Sequence, residues 1–323
     1  MKEFASRIIA SIDDNSKKIS SESIFTIDKG NFRLISDVIS NKTISFLDGG
    51  NMEILKAPTL SMFFNRIYLT SYSDNHRMKN ETSEFYSLIT SKAQQNKIMF
   101  STEYHFLKNK MDLKEYSFDS FDKTITFGNS RAKISIIGDV LRRFAELTLA
   151  RSARSNILIL DGSLEQKYTY ESELIAEAGN GKLLCGLSKT TDMLTDTGSS
   201  AVLAIAKNAP DGAWYYFASK EKNYDLYFAK LHEKSRYIFR VDVMNNERYD
   251  ADELFSILKK NSKDAIFLGY PYGLVEADKF ARVSKKERDM LQMQLQMILK
   301  KDYDKLIPLL SAANAHDILD TIS

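Results

Sequence analysis

Ile44-Ser45-Phe46-Leu47-Asp48-Gly49-Gly50-Asn51 reads as a buried strand that presents one carboxylate and then turns. The apolar run holds the backbone, an Asp follows its last apolar residue, and the glycines let the chain leave at once. Asn156-Ile157-Leu158-Ile159-Leu160-Asp161-Gly162-Ser163 repeats the design. In an open α/β sheet, sites form beyond the carboxyl ends of the strands. If the two strands are parallel neighbours, Asp48 and Asp161 converge. Oxygen-only ligation selects Mg²⁺ or Mn²⁺ over zinc. A pair of such ions activates water and stabilises the leaving oxygen in phosphodiester hydrolysis. Asp-Gly is also an ordinary turn dipeptide, so the weight lies in the repeat, and a two-ion site needs further acids.

Outward from the first strand, residues 53–57 read as a hairpin partner and 66–72 as a third strand. Before it, residues 3–12 form an amphipathic pattern with Phe4, Ile8, Ile9 and Ile12 near one face, and 31–39 suggest a second helix. Residues 74–133 are rich in Lys, Ser and aromatic side chains and read as an insertion of helices and strands. The stripe Val140, Leu141, Phe144, Leu147 marks a helix over 139–150. Further helices are expected at 168–178, 252–259 and 284–300. Further strands are expected at 182–187, 201–206, 214–219, 224–231, 237–243 and 265–268. The Met- and Leu-rich run at 290–299 is too apolar all round for a free surface and implies core or an oligomer interface.

Three more residues join the candidate site. Glu146 lies on the polar flank of the 139–150 helix, with Arg142 and Arg143 one turn before it, so an exposed ion pair is its bland explanation. Glu103 and Asp139 are possible substitutes. Lys189 follows a strand end and is placed to neutralise a phosphate or orient water. Asp242 sits in a strand of apolar residues, where a charge is costly unless it is paired or metal-bound; Arg240 and Arg236 are the alternative partners. The aromatic runs at 215–217 and 224–228 either stack bases or fill a core. Lys279, Arg282, Lys285, Lys286 and Arg288 either meet phosphates or form a solvated face.

The 323 residues suffice for a full core, and 43% apolar with 27% charged content is ordinary for a globular chain. A net charge of +2 does not itself announce nucleic acid, although a neutral chain can carry a basic groove. Cys185 is the only cysteine, which excludes an intrachain disulfide and a multi-Cys zinc site. The N-terminus has no signal-peptide pattern, and no run approaches the ~20 apolar residues of a membrane helix. A cytoplasmic protein with no membrane association is expected.

In order, Phe46-Leu47-Asp48-Gly49-Gly50, residues 142–150 with Glu146, Ile159-Leu160-Asp161-Gly162-Ser163-Leu164, Gly186-Leu187-Ser188-Lys189-Thr190, Phe239-Arg240-Val241-Asp242 and Gly269-Tyr270-Pro271-Tyr272-Gly273-Leu274-Val275-Glu276-Ala277 resemble the NurA nuclease family. The resemblance implies an α/β fold: an RNase H-like mixed sheet flanked by helices, with an inserted lobe and a helical C-terminus. It divides the chain into an N-terminal segment (1–42), a nuclease domain (43–277, with the insertion at about 74–133) and C-terminal helices (278–323). It implies Mn²⁺- or Mg²⁺-dependent cleavage of DNA, 5′-to-3′ exonuclease and single-strand endonuclease activity, and a homodimer. It also implies work with a hexameric HerA-type translocase in resection of broken DNA ends. On that pattern Asp48, Asp161, Glu146 and Asp242 hold the metal and Lys189 faces the phosphate. The first block departs from the family's usual Asp-Gly-Ser, so a Ser hydroxyl is lost there.

Two readings of other classes compete. An actin- or sugar-kinase-like phosphotransferase also begins with an Asp-bearing strand and a Gly turn, but needs hydroxyl- and Gly-rich phosphate loops. Asn51-Met52-Glu53 and Leu164-Glu165-Gln166 stand there instead. A non-catalytic assembly protein would leave Asp48 and Asp161 far apart.

Overall fold

The computed structural model describes residues 18–20, 24–245 and 248–310; the amphipathic run at 3–12 lies outside them. Three short strands come first: β1 (Lys18–Ser20), β2 (Ile24–Thr26) and β3 (Phe32–Leu34). Strand β3 and extended chain stand where a helix was expected at 31–39. Phe32 supplies the reason. Its ring meets Trp214 edge-on at 5.2 Å and Tyr216 at 4.6 Å, and its backbone pairs with Tyr216.

Strands β4 (Ile44–Lys56), β5 (Leu60–Ser73), β6 (His76–Gln94), β7 (Lys97–Lys108) and β8 (Ser117–Asp119) form an antiparallel meander. The expected turn at Gly49-Gly50 does not occur. The ladder with β5 continues through Gly49↔Ile67 and Gly50↔Arg66, so residues 53–56 end the same strand. Residues 74–133 hold strands and turns but no helix, and their strands extend the sheet.

The second half alternates. It runs α1 (Ile136–Ala150), β9 (Ile157–Asp161), α2 (Glu171–Ala178), β10 (Leu183–Ser188), β11 (Leu194–Thr195), α3 (Ala201–Asn208), β12 (Trp214–Lys220), β13 (Tyr224–Lys230) and β14 (Phe239–Met244). The helices α4 (Ala251–Asn261), α5 (Tyr272–Ala281) and α6 (Lys285–Leu299) follow. Residues 201–206 are helix rather than the expected strand. Alanine is the best helix former, and Ala201, Ala204 and Ile205 are buried at helical spacing. Residues 265–268 are a 3-10 turn rather than a strand, with Asp264 accepting from the Ile266 N–H at 2.8 Å.

Eleven strands form one mixed sheet in the order β3-β12-β13-β14-β10-β9-β4-β5-β6-β7-β8. The neighbours β4, β9 and β10 run parallel at its centre. Parallel strands must be covered on both faces, and alternation of their side chains supplies two apolar surfaces. Leu47, Leu158 and Leu160 pack with Val140, Leu141 and Phe144 of α1. Phe46, Ile159 and Leu187 pack with Leu254, Phe255 and Leu258 of α4 and Leu274 of α5. Tyr216 and Phe228 are fully buried, so the aromatic runs of β12 and β13 are core. No residue of α6 is buried, and Met290, Met293 and Met297 are each more than half exposed, so that helix is not core.

Helix α5 lies unusually close to β4. A Cβ on Gly273 would stand 1.9 Å from the Phe46 ring, and one on Gly50 would stand 2.3 Å from the Ala281 carbonyl oxygen. Both ends of the helix therefore rest on β4 through a missing side chain. At Gly50 the glycine admits a helix rather than making a turn.

Candidate metal centre

Parallel register sets the centre. Phe46 pairs with Ile159 and Leu47 with Leu160. The next residues, Asp48 and Asp161, therefore stand abreast on strands about 4.8 Å apart. The period of two directs both side chains to the Phe46–Ile159 face, where α5 lies. That helix delivers a third acid, Asp278, four residues after the buried Leu274 and so on the same side. Ligand oxygens of Asp48, Asp161 and Asp278 all lie within 4.8 Å of one another.

Lys189 leaves the end of β10 next to Asp161, since Leu187 pairs with Asp161. Its Nζ donates to Asp161 Oδ2 at 2.6 Å and to Asp278 Oδ1 at 3.4 Å. Burial works against its charge, but Asp161, Asp278 and Asp48 together hold its pKa above the ordinary lysine value. Arg282 also donates to Asp278, at 2.7 Å. Tyr270 forms the floor. Lys189 Nζ lies 5.3 Å from the centroid of its ring, and its hydroxyl is buried without a well-formed hydrogen bond. Burial first, then the charges of Asp161 and Asp48, push that phenol far above its usual range.

Asp48 differs from its two neighbours. Its carboxylate accepts the Gly49 N–H at 2.7 Å, and no Lys or Arg among the described residues forms an ion pair with it. Burial, then Asp161 and Glu146, raise its pKa to about 8. Glu146 therefore lies within electrostatic reach, although it is outside the group of three. It is buried, not exposed, and is held by Arg142 and, at 3.6 Å, by Arg143. Arg142 also donates to the Gly49 carbonyl at 3.1 Å. The helix ion pair and the proximity to the centre are thus both present.

Asp242 is not brought to the cluster. Val241 and Val243 face the α4 and α5 side, so Asp242 faces the other. There it accepts from Arg240 Nε at 2.8 Å and Nη2 at 3.1 Å, and from the Leu164 N–H at 2.8 Å. Arg240 further reaches Glu165 at 2.6 Å. Asp242, expected among the metal ligands, lies outside the group of three, and its partner is Arg240. Glu103 lies on β7, three strands from β4, and Asp139 accepts from Asn51 Nδ2 at 3.2 Å.

The donor set suits a hard divalent cation. It is oxygen only. Asp48 forms no ion pair among the described residues, and the Tyr270 hydroxyl reaches toward Asp161 in the same space. Two clefts open from Asp161. One, of about 550 Å³, is lined by Ser163, Lys167, Ser188, Lys189 and Thr190. The other, of about 150 Å³, is lined by Arg142, Glu146, Tyr168 and Asp139.

The mixed sheet with its parallel centre and flanking helices is of the RNase H-like fold class. The model of the NurA domain matches residues 42–283, and the chain belongs to that family. Among solved structures, the chain is similar to the NurA nuclease from Sulfolobus solfataricus. The match has a TM-score of 0.54 at 13% identity and covers 93% of each chain. It also matches the catalytic domain of human Endonuclease V, with a TM-score of 0.40 at 10% identity, over 92% of this chain and 96% of that one. No curated protein sequence matches.

Proposed function

We propose that this chain is a divalent-metal-dependent DNA nuclease. The convergence of Asp48, Asp161 and Asp278 within 4.8 Å carries the reading, together with membership of a nuclease family. The three acids, with Glu146 behind Asp48, hold Mn²⁺ or Mg²⁺. The bound metal supplies activation of water and stabilisation of charge on the leaving oxygen. Lys189, held between Asp161 and Asp278, turns a fixed positive charge toward the phosphate. Arg142 fixes Glu146 against the Gly49 backbone and holds β4 beside Asp48 in place. The polar cleft beside Asp161 takes the nucleotide flanking the cut.

The same reading takes the family's finer properties as expectations for this chain: 5′-to-3′ exonuclease and single-strand endonuclease activity, and work with a HerA-type hexameric translocase in resection of DNA ends. The exposed Met290, Met293 and Met297 of α6 support self-association as a homodimer. A cytoplasmic setting fits the same role. No helix of the described residues is long and apolar enough to cross a membrane. The phosphotransferase reading gains nothing, because β4 runs on past Gly50 where a phosphate loop would be required.

Incubation of the purified protein with end-labelled single-stranded DNA and Mn²⁺ or Mg²⁺ tests the proposal. Cleavage is expected with metal and absent with EDTA. Asp161→Asn should lower it by ~10³-fold or more while leaving the fold intact. Undiminished cleavage by that variant would remove the assignment.

A further inference from the structure

We propose that Glu276 is a positioning residue for the metal centre: it fixes the rotation of α5 about its own axis and so sets where Asp278 stands. The proposal rests on the reading of Asp48, Asp161 and Asp278 as a cation site and says what holds the third acid in place.

The placement of α5 comes first. The helix rests on β4, whose neighbours in the sheet are β9 and β5. On the β9 side it brings Asp278 to Asp161 and to Lys189. On the β5 side it brings Glu276 to two tyrosines. The Tyr68 hydroxyl donates to Glu276 Oε1 at 2.7 Å, the Tyr72 hydroxyl donates to Oε2, and Arg77 Nη1 donates to Oε1 at 3.3 Å. Residues two apart on a helix point about 200° from each other, so the two acids stand on opposite flanks. A turn of the helix that lifts one lowers the other.

The apolar contacts of α5 resist such a turn weakly. Gly50 and Gly273 set how near the helix lies to β4. Leu274, Ala277 and Ala281 are buried, and apolar burial is non-directional. Glu276 adds direction, because a hydrogen bond weakens steeply once it is bent. Phe280, one turn later on the same flank, stacks its ring on Tyr68 at 5.1 Å. Tyr68 in turn pairs with Asp48 across the β4–β5 ladder. One residue of β5 thus ties the helix that carries Asp278 to the strand residue beside it in the centre.

Stability does not call for a carboxylate here. Glu276 is 5% exposed, and the cost of burying a charge is at best offset by its partners. An apolar side chain of similar size would pack against the tyrosines without that cost. Geometry does call for one. A side-chain terminus lies about 6 Å from the helix axis, so a roll of about 10° moves it by about 1 Å. Metal ligands are held to within about 0.2 Å, a tolerance that such a roll exceeds.

Calorimetric titration of Mn²⁺ into the purified protein, with urea unfolding in EDTA alongside, tests this. Glu276→Leu should fold about as stably as the parent and bind Mn²⁺ about tenfold more weakly. Glu276→Gln, whose amide still accepts from one tyrosine and donates to the other, should recover most of that affinity. Tyr68→Phe/Tyr72→Phe removes the donors instead of the acceptor and should reproduce the loss; it carries the test if the Leu variant does not fold. A merely structural Glu276 would shift the unfolding midpoint and leave the Mn²⁺ affinity of the folded protein where it is. Parental affinity in Glu276→Leu or in the tyrosine pair, beside a parent that binds Mn²⁺, overturns the positioning role alone. A parent that binds no Mn²⁺ defeats the cation site, and the positioning role with it.

Discussion

Asp48 and Asp242 sit in the same sheet, on β4 and β14, with only β9 and β10 between them. Asp242 is fully buried and Asp48 half-buried, and the protein treats their charges in opposite ways. Asp242 is fully buried and receives two bonds from Arg240 and one from a backbone N–H, so its charge is answered within the fold. Asp48 receives one backbone N–H, faces two other acids and has its pKa raised to about 8. A strand acid matched by its own Arg is architecture. A strand acid left with like charges is a place prepared for a cation from outside. This distinction singles out Asp48, whose neighbours Asp161 and Asp278 are paired with Lys189 and Arg282.

Removal of each charge sharpens the contrast. Asp242→Asn leaves Arg240 buried against a neutral partner and should cost about 3 kcal/mol of stability or somewhat more, read by urea unfolding. Asp48→Asn should leave stability unchanged or higher in EDTA while it abolishes cleavage. If Asp242→Asn folds as firmly as the parent, the division between matched and unmatched acids fails.

The pH dependence of stability makes the next, smaller test. The folded pKa of Asp48, about 8, lies above the ordinary value of 3.8. Between those values the folded protein keeps a proton that the unfolded chain has released. Its contribution is fully present below about pH 4 and is lost as pH rises toward 8. The metal-free protein should therefore lose stability by up to about 1.4 kcal/mol per pH unit from this group. Unfolding in EDTA between pH 5 and pH 8 measures the slope, and Asp48→Asn should flatten it. An unchanged slope in the variant would place the titrating group elsewhere.

Much of the centre was legible in the sequence because its signals are local. An apolar run followed by Asp marks a strand and its carboxylate, and it located Asp48 within β4 and Asp161 at the end of β9, while a third apolar run placed Lys189 just after β10. Asp278 was not legible. It belongs to α5, which the Gly269–Ala277 block did not reveal as a helix, and it reaches Asp48 only because Gly50 and Gly273 let that helix touch β4. Those are tertiary facts with no local period. The separation of Asp242 from the group of three also had a signal in the sequence. Arg240 stands two residues earlier in the strand, hence on the same face, and that spacing is the pattern of an internal ion pair. The same limit explains Gly49-Gly50. A glycine pair reads as a turn from the sequence, and only the helix packed on it shows why the strand continues.

The central claim is that Asp48, Asp161 and Asp278 form a cation site. Calorimetric titration of Mn²⁺ into the parent and into Asp48→Asn at pH 8 tests it most directly. The account predicts saturable binding to the parent, with protons released from Asp48, and affinity at least about tenfold weaker in the variant. Equal affinity in the two proteins, or no binding to the parent, would contradict it.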